Sequence, residues 1–187
     1  HYGNVIWAQP NHVSDFPVDY QWYNGLGEKF QSKLFVSFRY LYDKFSLRAE
    51  LQYRFLDYRI SGTDDNLIDV TQDYLWHFVN PKISLHYYLS QKRLKHSFAL
   101  SFSTANREPT RSDIIEAPAQ KKPIPETLYD LEFSYMMHHD RFYVNATLYG
   151  MYYKNQLVLT GEINDVGAAI MDNVENSYRM GAELAVA

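Results

Sequence analysis

The sequence has no cysteine, so neither a disulfide nor a thiolate metal site is available to it. No run reaches about 18 apolar residues, which excludes a transmembrane helix. Membrane strands are not excluded, because they alternate apolar and polar positions and leave a much weaker hydropathy signal. Positive charge is in short supply too. The 18 Lys and Arg stand against 22 Asp and Glu, a formal net charge of -4, and this removes the electrostatic case for nucleic acid. The signatures G-x-S-x-G, H-E-x-x-H, G-x-G-x-x-G and the P-loop are all missing. The expectation is a non-enzyme with no cofactor and no bound metal. The chain opens on His1 without a basic-then-apolar leader, so it reads as a processed product or a piece of something longer.

What the sequence has in plenty is aromatic side chains: 17 Tyr, 11 Phe and 3 Trp, 17% of 187 residues. Aromatic girdles at two lipid interfaces are a specific use for so many Tyr. The second strong signal is alternation. In residues 45–55, Phe45, Leu47, Ala49, Leu51, Tyr53 and Phe55 fall on one face of a strand. Ser46, Arg48, Glu50, Gln52 and Arg54 fall on the other, a separation that a helix would scramble. The same dyad recurs six times, predicting seven strands at 33–42, 45–58, 74–90, 96–106, 127–137, 141–154 and 174–187. A tilted membrane strand needs about 9–11 residues, whereas soluble strands average about 5–6. The fold class expected is therefore all-β, an antiparallel transmembrane β-barrel. A soluble sandwich or barrel would show the same alternation, and strand length and Tyr content weigh against it.

The connections alternate in length as well. Asp43-Lys44, Gln91–Lys95 and His138–Asp140 are short, while 59–73, 107–126 and 155–173 are long. Short turns at one end and long loops at the other match periplasmic turns and extracellular loops. On that logic residues 1–32 are an extracellular loop region. Seven strands leave open edges, which cannot face lipid, so the chain is expected to be part of a barrel.

Several segments carry a family likeness. They are Ala105–Arg111, Pro123–Glu132 (Pro-Ile-Pro-Glu-Thr-Leu and its acidic run), Leu148–Gly161 with Tyr-Lys-Asn-Gln-Leu, and Ser177–Leu184 with Ser-Tyr-Arg-Met-Gly-Ala-Glu. In combination they resemble the C-terminal part of the barrel of Bacteroidetes-type TonB-dependent outer-membrane receptors. Gln21–Tyr23 and Leu51–Arg54 extend the resemblance over nearly the whole of 1–187, which is read as a partial barrel domain. The resemblance implies a barrel of about 22 strands filled by a plug domain. It implies energy from TonB–ExbB–ExbD and uptake of a scarce ligand across the bacterial outer membrane. A ferric siderophore is the first expectation for that ligand, with cobalamin, haem or a glycan as alternatives. A passive porin-like or enzymatic barrel is a further alternative. On that resemblance the plug domain, the early strands and the closing strand are expected to lie outside these 187 residues.

The polar faces hold Arg48, Glu50, Arg54, Lys82, His86, Asp130, Glu132, Arg179 and Glu183. As a set they are expected to face the lumen and the receptor's own plug; singly, each also reads as charge pairing between strands. The outer faces are expected to meet outer-membrane lipid. Trp7, Trp22, Tyr23, Arg107 and Arg111, with Tyr20, Lys121 and Lys122, are the aromatic and basic groups read as lying in loops. An anionic, ring-rich ferric chelate would suit them, although for any single one of them interface anchoring or loop packing is the simpler reading. Asp64, Asp65, Asp69 and Asp73 read as a solvated acidic loop whose spacing is not that of an EF-hand. His138-His139 and His96 read as solvated turn residues.

Overall fold

The outward-facing alternation predicts strands, and strands form nearly all of the chain in the computed structural model, which describes residues 2–7, 21–63, 68–117, 121–163 and 169–187. In chain order they are β1 (Tyr2–Trp7), β2 (Gln21–Tyr42), β3 (Phe45–Thr63), β4 (Gln72–Gln91), β5 (Leu94–Arg107), β6 (Glu126–His139), β7 (Phe142–Ile163) and β8 (Ala169–Val186). One short helix, α1 (Arg111–Glu116), interrupts the β5–β6 connection. The strands form one antiparallel meander in the order β1 to β8, with β1 and β8 as its edges among the described residues. No described helix is long and apolar enough to cross a membrane, which says nothing of strands.

Seven of these strands are the seven expected, each longer than its alternation suggested. The eighth, β1, pairs with the start of β2 from Tyr2↔Gly27 to Trp7↔Gln21. Residues 2–7 and 21–32 are therefore strand, where a loop region was expected. The reason is that pairing in a ladder needs only backbone groups. In β2 the outward positions Glu28, Phe30 and Ser32 are not uniformly apolar, so the sequence shows no dyad.

Three two-residue turns close the hairpins at one end: Asp43-Lys44, Lys92-Arg93 and Asp140-Arg141. Asp43 and Lys92 take left-handed backbone (φ 47° and 44°), as the tight turns matching strand twist require.

The two faces of the sheet differ sharply. From the ladder registers, Leu47, Leu85, Leu100, Phe133 and Leu148 form one row across the outer face. Next to it, toward the tight turns, runs a row of rings: Tyr42, Phe45, Tyr87, Phe98 and Tyr135. Phe45 and Tyr87 lie 4.8 Å apart, Tyr87 and Phe98 6.3 Å, and Phe98 and Tyr135 5.0 Å. Toward the other end Tyr129, Tyr152 and Tyr178 form a second aromatic row. Large apolar side chains left exposed on this face (Leu51 46%, Ile83 48%, Leu148 56%) have no reason to face water in such numbers. Measured along β3, Phe45 to Phe55 spans roughly 33 Å, or about 25 Å of height at a 40° tilt, the thickness of a barrel's apolar band.

Beyond Phe55 the polarity of β3 inverts. Asp57 and Arg59 point outward and bond to each other at 3.3 Å. Leu56, Tyr58 and Ile60 point inward and are buried. Tyr58 and Ile60 join Val70 and, from α1, Ile114, with Tyr74, Trp76 and Ile115 packed around them, in a small core on the inner face. Among the described residues the buried apolar cluster thus lies where α1 covers the sheet.

Candidate functional site

The inner face is the one that α1 covers, and its character follows from the residues that the registers place there. Arg48, Glu50, Lys82, Ser84, His86, Ser101 and Glu132 line one trough on it. Glu50 stands opposite Lys82, and Ser101 opposite Glu132. Asp130, Arg179 and Glu183 share this face, in register with Met151 and Thr147 of β7. Arg54 lies on it too but above the trough, beneath the β5–β6 connection. Arg48 and Glu50 approach only to 4.0 Å, and Arg48 is half exposed. A loose, solvated pair of this kind contributes little to stability. Arg179 sits 5.4 Å over the Tyr153 ring, and Tyr149 lies against Gly181, where an added Cβ would meet its hydroxyl at 2.4 Å.

Above the trough the β5–β6 connection forms a strap across the inner face. Its first anchor is Glu108. Arg54 Nη2 donates to Glu108 Oε2 at 2.6 Å, and Lys29 Nζ donates to Oε1 at 2.7 Å. Burial pushes the Glu108 carboxyl up. The Lys29 hydrogen bond, a backbone hydrogen bond and the Arg54 and Lys29 charges outweigh that and hold it below its ordinary value. The second anchor is α1. Thr110 accepts from Asp113 N at 3.3 Å and Asp113 accepts from Thr110 N at 2.7 Å, a capping box that turns Ile114 into the core. Arg111 reaches back over β2, where Gly25 leaves room for its guanidinium; a Cβ there would sit 2.1 Å from Nη2. The third anchor is at the far end. Lys121 pairs with Asp172, and Asn173 holds Ile124 N at 2.8 Å and Ile124 O at 3.0 Å. Lys122 donates to Ile114 O at 3.0 Å.

A polar seam joins strap and sheet. Pro81 has no N–H, and the β4–β5 ladder stops beside it at Lys82↔Ser103, while β3 still pairs through Leu51↔Pro81. Side chains fill the gap. Asn80 Oδ1 accepts from Asn106 N at 3.1 Å and from Asn106 Nδ2 at 2.8 Å. Asn80 donates to Gln52 at 3.0 Å, Thr127 donates to Asn106 Oδ1 at 2.7 Å, and Arg54 donates to Asn106 O at 3.0 Å.

The residues expected to meet a ligand are not gathered in one place. Trp7 lies in β1, and Trp22 and Tyr23 in β2, so they belong to strands and not to loops; their side chains are outside the described residues. Arg107 ends β5 and is held by Glu126 at 2.9 Å, though 56% exposed. Arg111 is a half-buried member of the strap, its guanidinium lying over Gly25. Of the acidic loop, Asp64 and Asp65 lie outside the described residues, Asp69 accepts from Thr71 N at 2.9 Å, and Asp73 is in β4. No acidic or histidine cluster suited to a metal occurs among the described residues. His138 and His139 end β6 and His96 lies in β5, so these are strand residues and not turn residues; His96 Nδ1 and Tyr135 Oη are 2.9 Å apart. Sequence reasoning missed Glu108 and Lys29, the acceptor and one of the two donors of the clamp. The signal available was Thr110-Arg-Ser-Asp113 followed by Ile-Ile, which marks a helix start inside the proline-containing connection.

A family described as TonB dependent receptor-like, beta-barrel, matches residues 2–187. Among curated proteins nothing matches. The fold is similar to that of the FrpB iron transporter of Neisseria meningitidis, with TM-score 0.61 and 17% identity, over 87% of this chain and 24% of that one. It is similar to the ferric-catecholate import receptor Fiu of E. coli K12, with TM-score 0.61 and 13% identity, over 94% of this chain and 28% of that one. The copper transporter OprC gives TM-score 0.54 and 12% identity, over 88% and 35%. At these identities the likeness shows the fold, and the chain spans about a quarter to a third of those structures.

Proposed function

Because the chain belongs to the TonB-dependent receptor β-barrel family, we propose that it is one wall of an outer-membrane receptor that takes up a scarce ligand, first of all a ferric siderophore, with energy delivered through TonB. Receptors of this family are outer-membrane barrels that transport a ligand. The observation that carries the reading is the two-sided sheet: an aromatic-bordered apolar outer face backed by a charged inner face with a strap across it. On this reading the tight turns are periplasmic and the strap end is extracellular. The charged trough, with Arg54 above it, faces the lumen and the receptor's plug domain. Trp7, Trp22, Tyr23 and Arg107 lie at the strap end, where a ligand arrives. Arg111 acts there through the strap and not as a free cation.

Iron is the first cargo because two of the structurally similar proteins are described by iron or ferric-catecholate import. The test is the abundance of the complete receptor in outer-membrane fractions with and without iron, together with uptake of labelled ferric siderophore in cells with and without TonB. Induction by iron starvation and TonB-dependent uptake are expected. TonB-dependent growth without an iron response would move the cargo to cobalamin or a glycan. Uptake that ignores TonB would sink the active-transport reading in favour of a passive barrel. Haem is separated from siderophore by supplying each as the sole iron source.

A further inference from the structure

The outer face near the tight turns holds a groove that neither transport nor plug contact uses. Leu89, His96, Phe98, Phe133 and Tyr135, from β4, β5 and β6, line its apolar part. One step nearer the turn, Gln91, Lys92, Arg93, Leu94 and His139 line a second hollow. The registers make the two continuous: Gln91↔Leu94↔His139 is one cross-strand row, and Leu89↔His96↔Met137 is the next row on the same face. Every tight turn carries a cation at its second position, namely Lys44, Arg93 and Arg141, and Lys92 adds another. Against them stand Asp43 and Asp140. The Arg93–Asp140 pair is 3.6 Å long with both side chains more than 60% exposed, too solvated to hold Arg93 away from a phosphate.

We propose that this groove binds one anionic glycerophospholipid of the leaflet at the tight-turn end. Its phosphate sits between Lys92 and Arg93, and an acyl chain lies along Leu89, Phe98 and Phe133. The chemistry follows the depth. Cations stand at the rim, where a headgroup phosphate lies. The His96–Tyr135 pair, 2.9 Å apart, lies about 10 Å further along β5 and offers polar hydrogens at the level of the ester groups. The ring row of Tyr87, Phe98 and Tyr135 then starts the hydrocarbon band. The proposal rests on the outer-membrane reading, with tight turns toward the phospholipid leaflet.

The test is native mass spectrometry of the complete barrel carrying this chain, released from detergent with phosphatidylglycerol, phosphatidylethanolamine and lipid A in competition. Heat-modifiable gel mobility serves as the check that the barrel is folded. Retention of phosphatidylglycerol over phosphatidylethanolamine is expected. Lys92→Gln with Arg93→Gln should cut it by about 25-fold, since each cation near an anionic surface contributes roughly fivefold. Lys92→Arg with Arg93→Lys should keep it. Equal retention of both phospholipids, or no effect of the double substitution in a folded barrel, overturns the lipid site alone. Preference for lipid A overturns the orientation and with it the site. A chain that forms no heat-modifiable barrel takes down both the site and the outer-membrane reading.

Discussion

Arg54 Nη2 meets Glu108 Oε2 at 2.6 Å with the two side chains only 14% and 11% exposed, which makes this a short and well-shielded tie between sheet and strap. Breaking one partner of a pair this shielded leaves a charge without compensation. Glu108→Ala should therefore cost about 2–3 kcal/mol locally, below the range for a fully buried pair because Lys29 stays 43% exposed. Trypsin cleavage at Lys121-Lys122 in the folded barrel is the readout. Glu108→Ala should speed it at least about tenfold, and an unchanged rate would show that the strap does not depend on this clamp.

The same clamp sets a pH dependence. The Glu108 carboxyl lies below its ordinary value of 4.5, so its contribution is complete above that value and is lost as pH falls through the folded one. Strap protection measured by hydrogen exchange should stay flat from neutral pH down to about 5 and fall only below about 4.5. In Glu108→Gln the acid-induced loss should flatten. A fall already under way near pH 6 would point to a histidine instead.

Leu51 and Gln52 test which face meets lipid. Leu51 is 46% exposed on the outer face, between Val36 and Pro81. Leu51→Arg should cost about 2–4 kcal/mol in a bilayer-folding titration. Gln52 faces inward and accepts from Asn80, so Gln52→Arg should lose one hydrogen bond, about 1 kcal/mol. Equal costs would mean that the two faces have been read the wrong way round.

How much of this was legible follows from how strictly polarity alternates along each strand. Phe45 to Phe55 gave itself away because every second residue is apolar and points to the outer face, and the eight charged residues proposed to face the lumen share one face as their parity required. From Asp57 onward the rule reverses, because α1 covers the inner face there. Leu56, Tyr58 and Ile60 then look like a broken pattern, and the strand was ended early. Arg111 and Gly25 lie far apart in sequence, and nothing local reports that a guanidinium fills the space over a glycine. The Thr110–Asp113 capping box was readable, but Pro109, Pro118, Pro123 and Pro125 drew the segment toward a loop. Glu108 looked like any surface acid because its two partners come from β2 and β3.

The last prediction concerns Tyr149 and Gly181, directly paired across β7 and β8 on the inner face. The Tyr149 ring covers the glycine so closely that a Cβ would meet Oη, Cζ and Cε1 at 2.4, 2.5 and 2.9 Å. A ring laid over a strand glycine returns the packing that the missing side chain gives up. Gly181→Ala must swing that ring away, and overpacking of this kind costs about 1–3 kcal/mol. Tyr149→Ala uncovers the glycine and should cost a similar amount. The two substitutions remove the same contact. In the double variant alanine at 181 no longer meets a ring, so the combined cost should fall short of the sum by about 1 kcal/mol or more. Urea unfolding of the complete barrel in lipid vesicles measures all four corners of this cycle. Strict additivity would mean that the two residues are merely neighbours, and the edge of β8 would then need another source of order.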